Sequence, residues 1–410
     1  MKTQFFHVKT REEVWAEYCR FPLLPCEEVP LDQADNRVLA APVLAAEDLP
    51  SFPRSTVDGY AVRARDTFGA SESLPSLLQL VGEVLMGQEA GIELGAGQTV
   101  RIPTGGMLPR NADAVVMVEY TEELDSRSVA VGRSVAPLEN VIQPGDDCEA
   151  GAEVLPTARR LRPQDIGLLA GIGHVSVSVR RRPRVAIIST GDEIVPLEET
   201  PLPGQIRDIN LHSLAAMVRH AGGEPVLVGL VADQYEPLRR SCEQALAQAD
   251  ICLISGGSSV GTRDLTLEVL SSFADSEVLV HGVAISPGKP TILLRIGSKA
   301  FWGLPGHVTS ALVVFQVLVR PFIDYLAGME PALGRGWPLA ARLSRNVPSK
   351  QGREDFVRVR LTRKAGVLEA EPLFGPSGLI SPLVKADGLV RIERYSEGIY
   401  GGAEVEVWLL

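Results

Sequence analysis

Apolar and polar positions follow a regular α/β pattern from residue 184 onward. Short β-branched runs, typical of strands buried on both faces, alternate with longer segments whose apolar residues recur at helical spacing. The predicted strands are Arg184–Ser189, Pro225–Val231, Ile251–Ile254 and Lys299–Trp302. The predicted helices are Asn210–Ala221, Gln234–Ala249, Leu265–Phe273 and Thr309–Ala327. Alternating units of this length predict a mostly parallel sheet with helices on both faces.

The flanking regions have different patterns. Residues 77–135 and 330–410 contain short alternating runs separated by glycine, so each is predicted to form a small β domain. Residues 1–42 are predicted to be helical, with Val38, Leu39 and Val43 on one face of a helix that ends near Pro42. Residues 138–177 are mixed, and a helix is predicted to start at Arg162 and to end at the Gly171/Gly173 pair.

One loop stands out within the α/β pattern. The predicted strand Ile251–Ile254 is followed by Ser255-Gly256-Gly257-Ser258-Ser259-Val260-Gly261, and then by a helix. Glycines allow backbone N–H groups to approach an anion closely, and the N-terminus of the next helix adds a positive dipole. Asp264 follows this loop, where its carboxylate could hold a divalent metal against phosphate. Two interpretations stay open at this point: a site for a phosphate-type ligand, or an ordinary tight turn between strand and helix.

Several further loops are expected to lie beside this one. In open parallel sheets, ligands bind beyond the carboxyl ends of the strands. The segments that follow predicted strands are therefore grouped at one edge: residues 189–193, 233, 255–264, 286–290 and 303–307.

Composition narrows the class of protein. The net charge of −11 argues against a general nucleic-acid binder or a membrane-surface protein, both of which normally carry a basic excess. The five cysteines are scattered without a C-x-x-C pair, which suits a reducing compartment. The N-terminus lacks a signal-peptide core, and the longest apolar run, Val308–Val319, is predicted to be too short to span a bilayer. A cytoplasmic protein is expected.

A set of short motifs gives the chain a family resemblance along essentially its whole length. The motifs are Val57-Asp58-Gly59-Tyr60-Ala61, Ile102-Pro103-Thr104-Gly105-Gly106, Ser189-Thr190-Gly191-Asp192-Glu193, the loop Ser255–Gly261 with Asp264, Pro287-Gly288-Lys289-Pro290, Gly303-Leu304-Pro305-Gly306, and Gly352-Arg353 with Phe356 and Arg358-Val359-Arg360-Leu361. Each motif is a modest signal alone, but the set in this order is specific. The chain resembles the molybdopterin molybdenumtransferase family, whose members insert molybdenum into adenylated molybdopterin.

The resemblance implies a fold of four parts. A mixed linker domain would comprise residues 1–42 and 138–177, and a small β domain, residues 43–137, would be inserted into it. An α/β molybdopterin-binding domain with a parallel sheet would span residues 178–328, and a C-terminal β barrel residues 329–410. It also implies a homodimer whose active site is shared between subunits, with other cofactor-biosynthesis proteins or molybdoenzymes as partners.

The resemblance and the chemistry together suggest roles for individual residues. Molybdate is a tetrahedral dianion, so it needs donors and positive charge. Hydrolysis of an adenylate needs a divalent cation, expected to be Mg²⁺, and carboxylates to hold it. Catalytic roles are predicted for Asp58, Thr104, Glu193, Asp264 and Lys289, with Asp264 and Glu193 as metal ligands. Substrate binding is predicted for Thr190, Asp192, Asp233, Ser255, Gly256, Gly257, Ser258, Gly261, Ser286, Gly288, Pro290 and Arg353.

Simpler structural roles remain open for several of these side chains. Asp58 could be a turn residue before glycine, and Thr104 could bond its own backbone at a strand end. Asp192 and Asp233 could cap the segments that follow them, and His307 could be no more than a helix-entry residue.

Three departures from the family pattern bear on the reaction. Ser286 stands where many relatives have lysine, Ile142-Gln143-Pro144 stands where many carry arginines, and His307-Val308 replaces Asn-Pro. A tungsten-preferring paralogue and a non-catalytic molybdopterin-binding or scaffold protein are therefore alternatives. A nucleotide hydrolase built on the α/β domain, resembling the competence-damage type, is a third, but the Asp58 and Thr104 motifs argue against it.

Overall fold

The α/β region of the chain forms a sheet with helices on both faces. The structure, a computed structural model, describes residues 8–256, 262–334 and 337–410, and the side chains of residues 262–264 lie outside the description. Within these ranges the strands of this sheet, in spatial order, are Glu224–Val231, Arg184–Thr190, Ile251–Gly256, Lys299–Leu304, Ile292–Ile296 and Ser276–His281. The first four are parallel, as the sequence predicts, and the last two are antiparallel and form one edge.

The helices around this sheet agree closely with the sequence pattern. They are Asn210–Ala221, Tyr235–Gln248, Thr262–Ser271 and the continuous helix Val308–Leu326. The first ends at Gly222, whose φ of 91° supplies the left-handed cap that a side chain would resist. Two apolar clusters, one on each face of the sheet, form the core.

The helix Val308–Leu326, here called the long core helix, is longer than the apolar run predicts. It contains a π-helical segment, Phe315–Val319, and by length and composition it could cross a membrane. The predicted helix Thr309–Ala327 is confirmed to within one residue at each end. The expectation that the apolar run Val308–Val319 is too short to span a bilayer was wrong, because the apolar helix continues beyond Val319 to Leu326. In this fold 89% of its apolar window is buried inside the protein, so it is a core helix.

The inserted region forms a half-barrel of antiparallel and parallel strands. In spatial order these strands of the described chain are Ala114–Met117, Gly59–Val62, Gln98–Ile102, Ser76–Glu83, Ser128–Val131 and Thr121–Asp125. Small apolar clusters fill its two sides. Short pairs connect it to the rest of the chain: Arg54–Ser55 with Val141–Ile142, and Val43–Leu44 with Glu153–Leu155.

The linker region contains less helix than its sequence predicts. Helix Arg11–Ala16 and the 3₁₀ turn Glu17–Arg20 are followed by a strand, Cys26–Pro30, that pairs with Ser176–Arg180. A second 3₁₀ turn, Leu31–Gln33, follows this strand. The predicted helix through Val38, Leu39 and Val43 is wrong. These residues form β bridges and a short strand, because Val38 and Leu39 pair with Arg160 and Val179. The helix Pro163–Gly171 forms as predicted.

The C-terminal region is a closed barrel, as expected. Its strands run in the order Glu354–Lys364, Val367–Pro372, Leu339–Leu343, Glu404–Leu409 and Gly388–Ile392, and the last pairs with the first. A short pair, Val347–Pro348 with Gly398–Ile399, and a helical turn, Ser381–Val384, complete it. The α/β domain is joined to this barrel through its strand Ile285–Ser286, which pairs with Glu354–Asp355.

The N-terminal segment formed by helix Arg11–Ala16 and the 3₁₀ turn Glu17–Arg20 also fixes the barrel against the α/β domain. Val14 and Tyr18 lie in the same apolar cluster as the long core helix, and the Tyr18 hydroxyl donates to the carbonyl of Leu318 at 2.7 Å. Arg11 is 5% exposed, and its Nε donates to Glu354 of the barrel at 2.9 Å. The barrel therefore contacts the sheet through both backbone pairing and a buried ion pair.

Candidate functional site

The carboxyl ends of two central strands meet at a tightly packed point. Thr190 and Gly256 are paired across the sheet, and Gly256 has a φ of 137°. A Cβ at Gly256 would lie 1.8 Å from the carbonyl oxygen of Thr190, so only glycine fits there. The buried Thr190 hydroxyl donates a short hydrogen bond to Asp233, which lies beyond the neighbouring strand.

This hydrogen bond decides between the two roles open for Asp233. The helix that follows begins at Tyr235, with Gln234 as its N-cap residue, and it has no side-chain cap. Asp233 therefore holds the Thr190 hydroxyl instead of capping that helix. The two predicted substrate-binding residues are thus in direct contact at the sheet edge.

Ser255 connects the glycine-serine loop to two neighbouring segments. Ser255 is 1% exposed, and its hydroxyl accepts from Nδ2 of Asn210 at 2.7 Å. The same amide nitrogen donates to the carbonyl of Gly306 at 2.8 Å. Asn210 was not singled out from the sequence, although a polar residue at the first position of a helix behind a sheet edge was a usable signal. Its buried Oδ1 has no partner within the described part of the protein.

The structure describes only some of the other residues predicted to lie at this edge. Asp192 and Glu193 are exposed immediately after strand Arg184–Thr190. Gly257, Ser258 and Gly261 lie outside the described residues, as does the side chain of Asp264. A further carboxylate, Asp208, is 4% exposed, and its Oδ1 accepts from the N–H of Leu211 at 3.0 Å.

A cavity of about 550 Å³ lies between the α/β edge and the C-terminal barrel, and we refer to it as the interdomain cavity. Four of the predicted residues contribute from one loop and a fifth from the barrel: Ser286, Gly288, Lys289 and Pro290, with Arg353. The barrel and the start of the long core helix add further lining, including His307, Thr309, Ser310, Asp355, Arg358 and Ser377. The structure therefore brings two separate sequence motifs to one concave site.

The Pro-Gly-Lys-Pro loop is held rigidly at the wall of this cavity. Gly288 is buried with a φ of 122°, and a Cβ there would lie 2.4 Å from Cγ2 of Val314. The carbonyl of Gly288 accepts from the Thr291 hydroxyl at 2.7 Å, and that of Lys289 accepts from the N–H of Val283 at 2.9 Å. The backbone is fixed on both sides, while the Lys289 side chain is exposed to the cavity.

Cationic groups dominate the interdomain cavity. Arg358 is 9% exposed; its Nη1 donates to Oγ1 of Thr309 at 3.2 Å and its Nη2 to the carbonyl of Gly375 at 2.9 Å. Burial lowers the pKa of this guanidinium from its ordinary value, yet an arginine remains charged. Within the described chain, no carboxylate pairs with Arg358 or with Lys289, so both charges are available to an anion.

Arg353 is in a different electrostatic situation from Arg358. Its Nε lies 2.9 Å from a carboxylate oxygen of Asp355, so its charge is largely compensated. Arg358 is the cation that sequence reasoning missed as a ligand. A usable signal was its position two residues from Phe356 on the same face of a strand, where a charged side chain points inward.

The long core helix begins at the floor of this cavity. His307 is its N-cap residue, and Nδ1 of His307 lies 2.8 Å from Oγ of Ser377. Thr309 N–H donates to the carbonyl of Ser377 at 3.0 Å, which fixes the barrel loop to the helix. A helix N-terminus directs its positive end toward this space, which adds to the attraction for an anion.

Asp58 and Thr104 are in contact with each other in the inserted half-barrel. Oδ1 of Asp58 accepts from the Thr104 N–H at 2.7 Å and from its hydroxyl at 3.0 Å. These two hydrogen bonds lower the pKa of Asp58, so its carboxylate is held in the charged form. Asp58 is thus more than a turn residue, and Thr104 bonds a side chain instead of its own backbone. In the described chain, no hydrogen bond joins this pair to the interdomain cavity.

Comparison with known proteins decides the family. Residues 8–173 match the MoeA N-terminal region (domain I and II), residues 186–325 the probable molybdopterin binding domain, and residues 340–410 the MoeA C-terminal region (domain IV). The chain belongs to the molybdopterin molybdenumtransferase (MoeA) family. The match over the inserted region also decides against the nucleotide-hydrolase alternative, since that region is what distinguishes the two.

Individual relatives extend over almost the whole chain. The molybdopterin molybdenumtransferase of Nostoc is 35% identical over 389 residues, with 93% of this chain and 88% of the relative covered. That of Bacillus subtilis is 31% identical over 389 residues, covering 94% and 90%. The crystal structure of a molybdopterin biosynthesis MoeA protein from Pyrococcus horikoshii superimposes with a TM-score of 0.78 at 38% identity, covering 98% and 99%.

Glu193 and Asp264 are the predicted metal ligands. The structure describes Glu193, whereas the side chain of Asp264 lies outside the described residues. Among the described residues, no group of three histidine, cysteine or acidic side chains could hold a metal ion. Mg²⁺ commonly uses one or two carboxylates and completes its shell with water and substrate phosphate, so it does not need such a group. The exposed carboxylate of Glu193 at the sheet edge fits that requirement.

Proposed function

We propose that this protein inserts molybdenum from molybdate into adenylated molybdopterin and releases AMP, forming the molybdenum cofactor. The observation that carries the proposal is the interdomain cavity, in which the charges of Lys289 and Arg358 are both uncompensated by carboxylates of the described chain. Membership of the molybdopterin molybdenumtransferase family supports the reaction class. A cytoplasmic location is part of the proposal.

Molybdate would bind in the interdomain cavity. A tetrahedral dianion needs several converging donors, and here Lys289 supplies one compact charge while Arg358 supplies a planar set of N–H groups. The rigid loop around Gly288 holds the Lys289 backbone in place before the anion arrives, so little entropy is lost on binding. Ser286, Pro290 and Arg353 complete the wall from the same two segments.

Adenylated molybdopterin would bind along the strand ends, with its pyrophosphate at the glycine-serine loop. Ser255, Gly256, Thr190 and Asp233 lie together at this edge, and the fixed backbone there can donate N–H groups to phosphate oxygens. Attack of water on phosphorus breaks one P–O bond of the phosphoanhydride and gives two products, AMP and the phosphate of molybdopterin. Mg²⁺, bound by Glu193 and Asp264, would neutralise the charge of the phosphates.

The complete site would need a second copy of the chain. Asp58 and Thr104 form a charged, preorganised pair in the half-barrel, whereas the strand-end residues and the interdomain cavity belong to the other half of the molecule. In a homodimer the half-barrel of one subunit would place this pair beside the pterin loop of its partner. There the Asp58 carboxylate, kept charged by Thr104, would orient the reacting water or hold the cation.

The test is a defined reaction with purified protein, Mg²⁺, molybdate and adenylated molybdopterin. We expect AMP release and formation of active cofactor, and loss of both in Asp58→Asn and Lys289→Ala. If the protein binds the pterin tightly but both variants behave like the parent, a binding or scaffold role replaces the enzyme. If neither AMP nor cofactor appears, the proposal is wrong.

The same assay with tungstate in place of molybdate tests which oxyanion the protein prefers. Ser286 lies in the cavity where many relatives have lysine, so the cavity carries one cation fewer than that pattern provides. A higher rate with tungstate than with molybdate would identify a tungsten-preferring paralogue. Mixing inactive Asp58→Asn and Lys289→Ala subunits tests the shared site, because each mixed dimer would recover one intact site.

A further inference from the structure

His307 occupies a position in the interdomain cavity that no established role explains. We propose that His307 is a titratable oxyanion ligand, so that proton binding to its imidazole controls how tightly the cavity holds molybdate or tungstate. The inference rests on the proposed oxyanion site and adds to it a further oxyanion-binding residue and a dependence on pH. It concerns the step in which the oxyanion is captured, before any chemistry on the pterin.

The imidazole of His307 contacts the barrel loop, and the residue lines the interdomain cavity. Nδ1 lies 2.8 Å from Oγ of Ser377, and Cδ2 of the ring lies 3.9 Å from the position of a Cβ at Gly378. Among the contacts of the described chain, Nε2 has no hydrogen-bond partner, and the residue is exposed. The ring is therefore oriented by Ser377 and offers its second nitrogen to a ligand.

The charge of this nitrogen depends on protonation. A neutral imidazole has one N–H. Depending on the tautomer, this N–H is on Nδ1, next to Ser377, or on Nε2. An imidazolium has an N–H on both nitrogens and can donate from both. Only the charged form can bond Ser377 through Nδ1 as a donor and still present an N–H to an anion through Nε2. Histidine is the side chain whose ordinary change of charge lies near neutral pH.

The other charged groups that line the cavity come from two segments. Lys289 comes from the rigid loop, and Arg353, Asp355 and Arg358 come from the barrel strand and the residue before it. Arg353 is compensated by Asp355, which leaves Lys289 and Arg358 as fixed cations. The barrel loop through Ser377 and the first turn of the long core helix contribute no titratable side chain to the cavity. His307 is thus the group in this cavity, as described, whose charge would vary.

In the bound state, the proton that is taken up resides on the imidazole of His307. A dianion stabilises the imidazolium, so oxyanion binding should take up a proton at the pH where the free histidine is partly neutral. By linkage, oxyanion affinity then rises as pH falls. The backbone position tolerates change, because His307 is an exposed N-cap residue and asparagine is a favoured N-cap.

The experiment measures binding of molybdate, tungstate and sulfate to the full-length protein by calorimetry between about pH 6 and about pH 8. Sulfate stays a dianion throughout, which separates titration of the protein from titration of the ligand. We expect affinity to be about tenfold higher at the acidic end, as for one added charge-assisted hydrogen bond. Heats measured in buffers of different ionisation enthalpy should show proton uptake.

Four variants give the matched comparison. His307→Asn should bind with the weaker affinity at every pH, and His307→Lys should bind tightly with little pH dependence. His174→Asn, in a turn after helix Pro163–Gly171, should behave like the parent. Lys289→Ala should bind weakly at every pH and serves as the reference for loss of the site.

Two outcomes would overturn the inference. The first leaves the proposed oxyanion site intact, and the second contradicts that site as well. If the parent binds oxyanions with no pH dependence, or if His307→Asn keeps the same dependence, His307 is not the titrating ligand, and the cavity stands. If the parent binds no oxyanion and Lys289→Ala has no effect, the oxyanion site of the proposed function is wrong as well.

Discussion

Replacing Gly288 by alanine tests whether the Pro-Gly-Lys-Pro loop is held in place by packing. Gly288 has a φ of 122°, outside the left-handed helical region that asparagine or alanine sometimes adopts. A Cβ there would lie 2.4 Å from Cγ2 of Val314, a fully buried residue of the long core helix. Gly288→Ala therefore adds both backbone strain and overpacking at one position.

The two costs can be estimated separately. A non-glycine residue in such a backbone region costs about 1–3 kcal/mol, and forcing an extra methyl group into a packed core costs about 1–3 kcal/mol. The expected destabilisation is therefore about 4 kcal/mol. Gly297 is the matched control: its φ is 59° and a Cβ would meet nothing within 4 Å. Gly297→Ala should cost about 1 kcal/mol.

A double variant isolates the overlap with Val314. Val314→Ala alone should cost about 2 kcal/mol for the lost methyl groups. Combined with Gly288→Ala it removes the clash but not the strain, so the pair should be more stable than the sum of the single changes by about 1–3 kcal/mol. Urea unfolding followed by tryptophan fluorescence reports on this, since Trp302 lies buried in the same apolar cluster.

Binding of molybdate by the same variants connects this packing to function. Gly288→Ala should weaken molybdate binding at least tenfold, because a shifted loop moves Lys289, and Gly297→Ala should leave binding unchanged. If Gly288→Ala is no less stable than Gly297→Ala and binds like the parent, the argument from backbone strain and overlap is refuted.

Three further changes have defined outcomes. Thr104→Val should raise the pKa of Asp58 toward its ordinary value, because it removes one of the two hydrogen bonds that lower it; NMR titration of the carboxyl measures this, and an unchanged pKa would contradict it. Asp165 has a pKa of about 2: burial acts to raise it, and hydrogen bonds led by Arg162 outweigh that effect. A lowered folded-state pKa stabilises the protein above the unfolded-state pKa, so Asp165→Asn should cost about 2 kcal/mol at neutral pH, a difference that disappears as pH falls to about 2 in urea-unfolding midpoints. Arg358→Met should reduce molybdate affinity more than Arg353→Met does, since Asp355 already compensates Arg353; equal losses by calorimetry would count against that distinction.

Sequence reasoning was most accurate where structure depends on local periodicity. The helix Asn210–Ala221 has the predicted bounds, because a regular apolar stripe and a terminal glycine define it locally. The segment through Val38 and Leu39 had a similar stripe, but its strand partners are far away in sequence and override the helical preference. A local pattern contains no information about such distant partners. The long core helix, whose pattern is local, ends within one residue of its predicted end.

The predicted site residues divide in the same way. Lys289 and Arg353 were identified from two motifs of the family. Both residues line one cavity because strand Ile285–Ser286 pairs with the barrel, and the sequence did not show that pairing. Asn210 and Ser377 escaped notice, because each acts through a partner that only folding brings near. The contact between His307 and Ser377 joins residues 70 positions apart.

The α/β pattern, the glycine positions that permit close backbone approach, and the family could all be inferred from the sequence, because each depends on short segments of neighbouring residues. The tertiary structure decided which cations are free. Lys289 and Arg358 face the interdomain cavity without a carboxylate partner in the described chain, whereas Arg353 is paired with Asp355. Charge compensation acts over a few ångströms in space. The Arg353–Asp355 pair forms within the barrel, whereas Lys289 and Arg358 line one cavity only because the barrel is docked on the sheet edge.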